Sequence, residues 1–321
     1  MVLKFIQKRL GPTYFITRLM LIYLFSCCGS GYHFAASLPI DSTILYKAHK
    51  EITVKEILNK MYEACDAVTA FSSDLIKEER FDTKRKLRTT KLAIKASTQP
   101  DFKVAITILD SDALGETGSE LVFPAKKDTA CLKGWRSALE GKYHNIFQDE
   151  VIRAKDKEHH TFSHIGFQYL VSIMRYYQNR DSSKYYKAIV VDEKESYYDV
   201  TINDIAYHEN STYQVRRTGE TIVAIADALH INQFKVWELN KDKHIDYLTP
   251  LKISQRLRVP TSYARKTILY IDKDTFLPLT QIIYDNNAAI PYEKYTFEEF
   301  RLNPAGFSKE TYSINIISNH K

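Results

Sequence analysis

YQVRRTGETIVAIADALHINQFKVWELNKDKHIDYLTPLKISQRLRVP, residues 213–260, differs in kind from the sequence on either side of it. It opens with a short strand-like run, and Gly219 supplies a tight turn. Thr221 is placed to cap a helix. Ile222, Ile225, Ala226 and Leu229 follow at the spacing of one helical face. Asn232 is placed to cap a second helix with Val236, Trp237 and Leu239 on its apolar side. Asn240 is expected to end that helix in the left-handed conformation. A last short strand, 256–259, closes at Pro260. The reading is a βααβ unit.

Such a unit has paired, adjacent ends, so it can sit inside a hairpin without disturbing a parent sheet. Strand-like sequence precedes it at 197–205 and follows it at 266–271. Its approach, Glu209-Asn210-Ser211, and its exit, Thr261-Ser262, are polar and turn-prone. The unit is therefore expected as an insertion within a larger sheet domain, 50–208 together with 262–315.

The segment resembles the LysM module. The matching residues are Tyr213-x-Val215, Gly219-Glu220-Thr221-Ile222, Ile225-Ala226, Leu239-Asn240 and Gln255-x-Leu257-x-Val259-Pro260; Ser254 stands where the family has Gly. The resemblance implies binding of N-acetylglucosamine chains, as in peptidoglycan or chitin, in a shallow groove between two loops. Gly219, Glu220, Thr221, Ile222 and Val223 would form one wall, and Leu248, Thr249, Pro250 and Leu251 the other. An acetamide needs one donor, one acceptor and a small niche for its methyl group, and loop backbone offers these.

Upstream, Thr53 and Glu56 make a capping box with Ile52 as a staple, and Val54, Ile57, Leu58, Met61, Tyr62 and Cys65 recur at helical spacing over 53–68. Strand-like runs follow at 71–81, 86–95, 102–109, 119–123 and 129–132, separated by short turns, which implies an antiparallel meander. A helix is expected over 166–178, capped by Ser163. Strands are expected at 185–191, 197–205, 266–271, 279–284, 292–300 and 311–317. The fold class is α+β: a curved antiparallel sheet with packed helices, plus the inserted unit.

This flanking domain resembles an uncharacterised family of bacterial envelope proteins related in fold to the periplasmic lipoprotein carriers. The features are the opening helix, the hairpin 71–95, Gly118-x-Glu120-Leu121, the run FSHIGFQYL at 162–170, Tyr270-Ile271-Asp272 through Leu277-Pro278, and Tyr284-Asp285. The resemblance implies a half-barrel around a helix. Its apolar cavity either receives acyl chains or is filled by the protein's own side chains.

The 321 residues carry a net charge of +6. Residues 1–37 hold Lys4, Lys8, Arg9 and Arg18 and no acid, which leaves 41 bases against 39 acids elsewhere. No nucleic-acid partner is indicated, since a phosphate-tracking protein carries its excess on the folded body. Basic residues, then the apolar run 19–28, then Ala35-Ala36-Ser37 form the layout of a secretory signal. Cleavage after Ser37 and lipidation at Cys27, within Leu24-Phe25-Ser26-Cys27, are the two ways to process it. Export leaves Cys65 and Cys131, which either pair in an oxidising compartment or stay as buried free thiols.

Of possible catalytic groups, only His159, His160 and His164, near Asp156 and Glu158, form a cluster. Two ligands from one strand do not complete a zinc site, and the trio reads as a surface or loop-located feature. No serine elbow, Walker loop or zincin pattern occurs. The expectation is a non-enzymatic envelope protein held on an N-acetylglucosamine polymer, with no metal or cofactor, whose sheet domain binds a lipid, lipoprotein or protein partner. The alternative is a cell-wall-modifying enzyme with its site near His160 and His164.

Overall fold

The computed structural model describes residues 52–81, 87–98, 102–112, 117–126, 129–133, 143–147, 159–161 and 164–304, with backbone alone at 124–126, 129–133 and 143–147. The leader with Cys27 and Ser37, the cap at Ser163 and the strand expected at 311–317 lie outside the described residues.

The described residues begin with α1 (Val54–Asp66) and run through β1 (Ala70–Arg80), β2 (Leu87–Ser97), β3 (Lys103–Ser111), β4 (Glu120–Lys126), β5 (Thr129–Lys133) and β6 (Tyr143–Phe147). Then come α2 (Gln168–Arg180), α3 (Ser182–Lys187), β7 (Ile189–Glu193) and β8 (Tyr197–Asn203). The βααβ unit is β9 (Ser211–Gln214), α4 (Ile222–Leu229), α5 (Gln233–Leu239) and β10 (Arg256–Val259). The last described elements are β11 (Lys266–Asp272), β12 (Pro278–Tyr284) and β13 (Glu293–Leu302).

Among the described residues, eleven strands form one antiparallel sheet, ordered β6-β5-β4-β3-β2-β1-β13-β12-β11-β8-β7; β9 and β10 pair separately. The protein is α+β, with a large antiparallel sheet and few helices. β8 and β11 are neighbours, Asn203 facing Lys266, and the βααβ unit interrupts that hairpin. Its stems are tied together: Asp204 N–H donates to Arg265 O at 2.8 Å and Thr261 N–H to His208 O at 3.0 Å.

α1 starts where the sequence indicates. Thr53 Oγ1 accepts from Glu56 N–H, and Glu56 accepts the Thr53 N–H in return. Its apolar stripe and that of α2 cover one face of the sheet, and Leu58, Met61, Val171 and Met174 are buried there. The strands answer with the two-residue period of a half-buried sheet: Phe71 and Leu75 of β1, and Leu92, Ile94 and Ala96 of β2. Phe71 sits among Phe167, Phe297 and Phe300, with ring centroids 5.4 to 6.2 Å away. Gly166, at φ +104°, closes against it, and a Cβ there would lie 3.3 Å from the Phe71 ring.

Several expectations are corrected. Residues 185–187 belong to helix α3, because Asp181 caps it by accepting from Lys184 N–H; the strand begins at Ile189. Asn240 is not left-handed; His230 instead ends α4 at φ +51°. The Asn240 amide donates to Val236 O and Arg258 O and accepts from Arg258 N–H, which fastens α5 to β10. Cys65 is a free thiol, one of the two outcomes left open by the sequence, and the side chain of Cys131 lies outside the described residues. Cys65 sits on the inner stripe of α1 in the apolar core, where burial pushes the thiol up to about 12.

Replacing Phe71 with Ala is expected to destabilise the protein by about 3–5 kcal/mol, measured by urea unfolding. A loss under about 1 kcal/mol contradicts its central place in this packing. Ser254, in the position where Gly was expected from the LysM pattern, has φ +69°. Ser254→Gly is therefore expected to raise stability by about 0.5–1 kcal/mol, because relief of the left-handed penalty outweighs glycine's added chain entropy.

Candidate functional site

The two loops expected to form a groove do lie side by side. Leu251 N–H donates to Glu220 O at 2.8 Å, and Val223 N–H to Tyr247 O at 3.4 Å. The backbone groups foreseen for a sugar are thus partly used in joining the walls. The Glu220 carboxylate is held within its own loop by Arg216 N–H at 3.0 Å and Tyr213 OH at 3.1 Å. The Arg216 bond, aided by Tyr213, keeps its carboxyl below the usual range. Thr221 Oγ1 caps α4 by accepting from Ala224 N–H. Ile222 and Leu251 turn into the core of the unit, so their side chains do not face a ligand. Gly219, Thr249 and Pro250 are exposed, and Val223 and Leu248 are half-buried. The accessible surface of the loop pair is these five residues with Glu220 and Thr221.

A second cluster joins the histidine trio to partners that the sequence did not indicate. It lies where the βααβ unit meets the sheet, and its centre is Glu293 of β13, fully buried. Glu293 Oε1 faces His159 Nδ1 at 2.8 Å and accepts from Asn232 Nδ2 at 2.5 Å. Oε2 faces His160 Nε2 at 3.0 Å and accepts from Tyr263 OH at 3.3 Å. His159, expected at the surface, is wholly buried. Its ring stacks on Phe234 at 4.1 Å and lies 4.4 Å from Tyr292, and its Nε2 lies 3.0 Å from Arg80 O. His160 Nδ1 lies 3.3 Å from His164 Nδ1, whose ring stacks on Tyr169 at 3.6 Å.

Beside this sits an ion network. Lys235 of α5 meets Asp285 at 2.8 Å and Glu238 at 2.6 Å, and its ammonium lies 4.1 Å above the Tyr292 ring. Arg80 of β1 pairs with the same Asp285. The first turn of α5 (Gln233, Phe234, Lys235) and its cap Asn232 are buried in the sheet. The Asn232 amide serves both sides: Oδ1 accepts from Lys235 N–H while Nδ2 donates to Glu293. Tyr177 OH, from α2, donates to His230 O and accepts from Tyr263 N–H.

Burial by itself would raise the Glu293 carboxyl; the His160 charge and the bonds from His159 and His160 overcome it and hold the group well below the carboxylate range. Burial likewise works against a charged His160, but Glu293 more than compensates and the group is raised above 6.5. Burial, with the His160 charge beside it, lowers His164 to about 3. These shifts set the pH dependence of stability. A raised His160 contributes fully below about pH 6.5 and its contribution is lost as pH climbs through its folded value. A neutral His164 costs stability as pH falls from about 6.5 towards 3, since the unfolded imidazole takes up a proton. Glu293 adds to the acid loss below about pH 4.5. A melting-temperature maximum near pH 6.5 is expected, with His160→Gln flattening the alkaline side. A wild-type melting temperature that climbs steadily from pH 6 to 9 contradicts the His160–Glu293 pair.

No family model matches the chain, and no curated protein matches it. Several solved structures are similar to it, among them the following three. A DUF1329 family protein from Desulfovibrio piger is 10% identical at TM-score 0.32, covering 82% of this chain and 98% of that one. The Mycobacterium tuberculosis lipoprotein LppX is 10% identical at TM-score 0.35, covering 78% and 96%. A LolA superfamily protein from Nitrosomonas europaea is 8% identical at TM-score 0.34, covering 83% and 99%. At such identities and TM-scores the likeness carries no argument about this chain's fold or ligand.

Proposed function

We propose that this chain is an exported, non-enzymatic envelope protein that binds N-acetylglucosamine polymers such as peptidoglycan through the paired loops of its βααβ unit. One observation carries the reading: the loops at 219–223 and 248–251 run side by side, joined between Glu220 and Leu251, with Gly219, Thr249 and Pro250 exposed along their rim. This is the arrangement that the LysM resemblance requires of residues Gly219 to Val223 and Leu248 to Leu251. The buried junction supports a fixed presentation: with α5 plugged into the sheet, the groove keeps one orientation relative to the rest of the protein. In this reading the sheet domain serves a lipid, lipoprotein or protein partner in the envelope.

The enzymatic alternative is weakened by what its residues already do. His160 is engaged with Glu293 and Tyr263, and His164 is stacked on Tyr169. Neither is positioned as a solvent-facing acid or base.

The test is sedimentation of the full-length protein with insoluble peptidoglycan. Thr249→Trp, at an exposed rim position, is expected to cut the pelleted fraction several-fold while leaving the melting temperature unchanged. Equal pelleting of wild type and variant, or none of either, sinks the proposal. A deletion of 213–260 is a poor control, since it would take Asn232 from the buried Glu293 and Lys235 from the buried Asp285, and breaking a buried ion pair costs about 3–5 kcal/mol.

A further inference from the structure

The sheet face turned away from α1 and α2 holds a groove of about 660 Å³ across β1 to β4. That volume is in the range of sites for small organic molecules, roughly 300–1,000 Å³. Its floor is low because the side chains are small: Ala93 on β2 and Ala105 on β3, bordered by Val122 on β4.

One end of the groove is cationic. Ser72 of β1 is the register partner of Lys95 on β2 and of Arg301 on β13. Cross-strand partners share a face, and neighbouring strands lie roughly 4.8 Å apart. Two long basic side chains therefore rise on either side of one short hydroxyl. Both are exposed, and neither has an ion pair among the described residues.

The remaining charges narrow the ligand. Asp74 is paired with Lys91 at 3.2 Å, and Glu120 has an interaction of its own. Glu299 sits at the bulge where β13 slips against Ser72 and Asp74, with φ +49°, and also lines the groove. At this end of the groove Lys95, Arg301 and Glu299 leave a local net charge of +1, which complements a monoanion, while Asp74 and Glu120 line the groove one register row further along. A dianionic phosphate would meet Glu299 at close range without a third base.

We infer that this groove binds an organic monocarboxylate, its carboxylate between Lys95, Ser72 and Arg301 and its apolar body on the Ala93–Ala105–Val122 floor. The site is separate from the βααβ unit, so it stands or falls independently of glycan binding.

Fluorine NMR of the full-length protein with 4-(trifluoromethyl)benzoate as the probe tests it. Saturable binding is expected, weakened roughly fivefold by Lys95→Met and by Arg301→Met and tightened by a similar factor in Glu299→Gln. Ala105→Phe, which fills the floor, is expected to abolish it. The neutral 4-(trifluoromethyl)benzamide is expected to bind at least fivefold more weakly than the benzoate. No saturable binding of the benzoate, equal binding of the benzamide, or unchanged binding in both the Lys95 and Arg301 variants would overturn the inference. Displacement of the benzoate by equimolar inorganic phosphate would also overturn it, by marking a general anion site.

Discussion

A carboxylate with no access to water must find its solvation inside the protein, and Glu293 finds it by drawing three parts of the chain together. His159 and His160 arrive from the segment before α2, Asn232 from the cap of α5, and Tyr263 from the return to β11. An unpaired charge at that depth is costly enough that the group would neutralise instead. Each partner is therefore held by the need of the others. The immediate neighbours follow the same logic: Asp285 takes both Arg80 of the sheet and Lys235 of the βααβ unit. Buried pairs of this kind add little net stability over an apolar filling, but removing one member is expensive. Their effect is to define one seat for the inserted unit.

Stacked rings make that seat rigid in a second way. His159 lies between Phe234 and Tyr292, with Phe81 at its edge, so aromatic packing and ion pairing share the same few residues. The apolar core of the βααβ unit reaches into the sheet through Tyr292 and Phe81. The unit is thus not a bead on a tether, and its loops are presented at a fixed angle. Fixed presentation of a surface avoids an orientational entropy loss when that surface binds a rigid partner.

The two faces of the large sheet have different characters for a reason visible in the two-residue alternation of its strands. On β1 the face with Phe71 and Leu75 packs under α1 and α2; the face with Ser72 and Asp74 is polar and open to solvent. Small residues diagonal to one another, Ala93 on β2 and Ala105 on β3, turn part of that second face into a groove. The bulge between β1 and β13 places Glu299 out of register, at the groove's edge.

Local chemistry was legible in the sequence wherever a residue acts on its own neighbours. Thr53 with Glu56, Thr221 and Asn232 each cap the helix that follows, and the 3.6- and 2-residue periods mark the stripes of α1 and of the meander. The βααβ outline of 211–259 follows from such short-range signals. Tertiary structure alone decided what Asn232 does with its other amide group, and what lies beside His159. Glu293 is 134 residues from His159 and 61 from Asn232, and no local pattern distinguishes it from any acid on a strand. Because histidine is polar and the segment around it is charged, the trio read as surface; burial came from partners supplied by distant strands. A sequence determines propensities and periods over a few residues, whereas the pairing of buried charges depends on which distant elements the closed sheet brings within about 3 Å of one another.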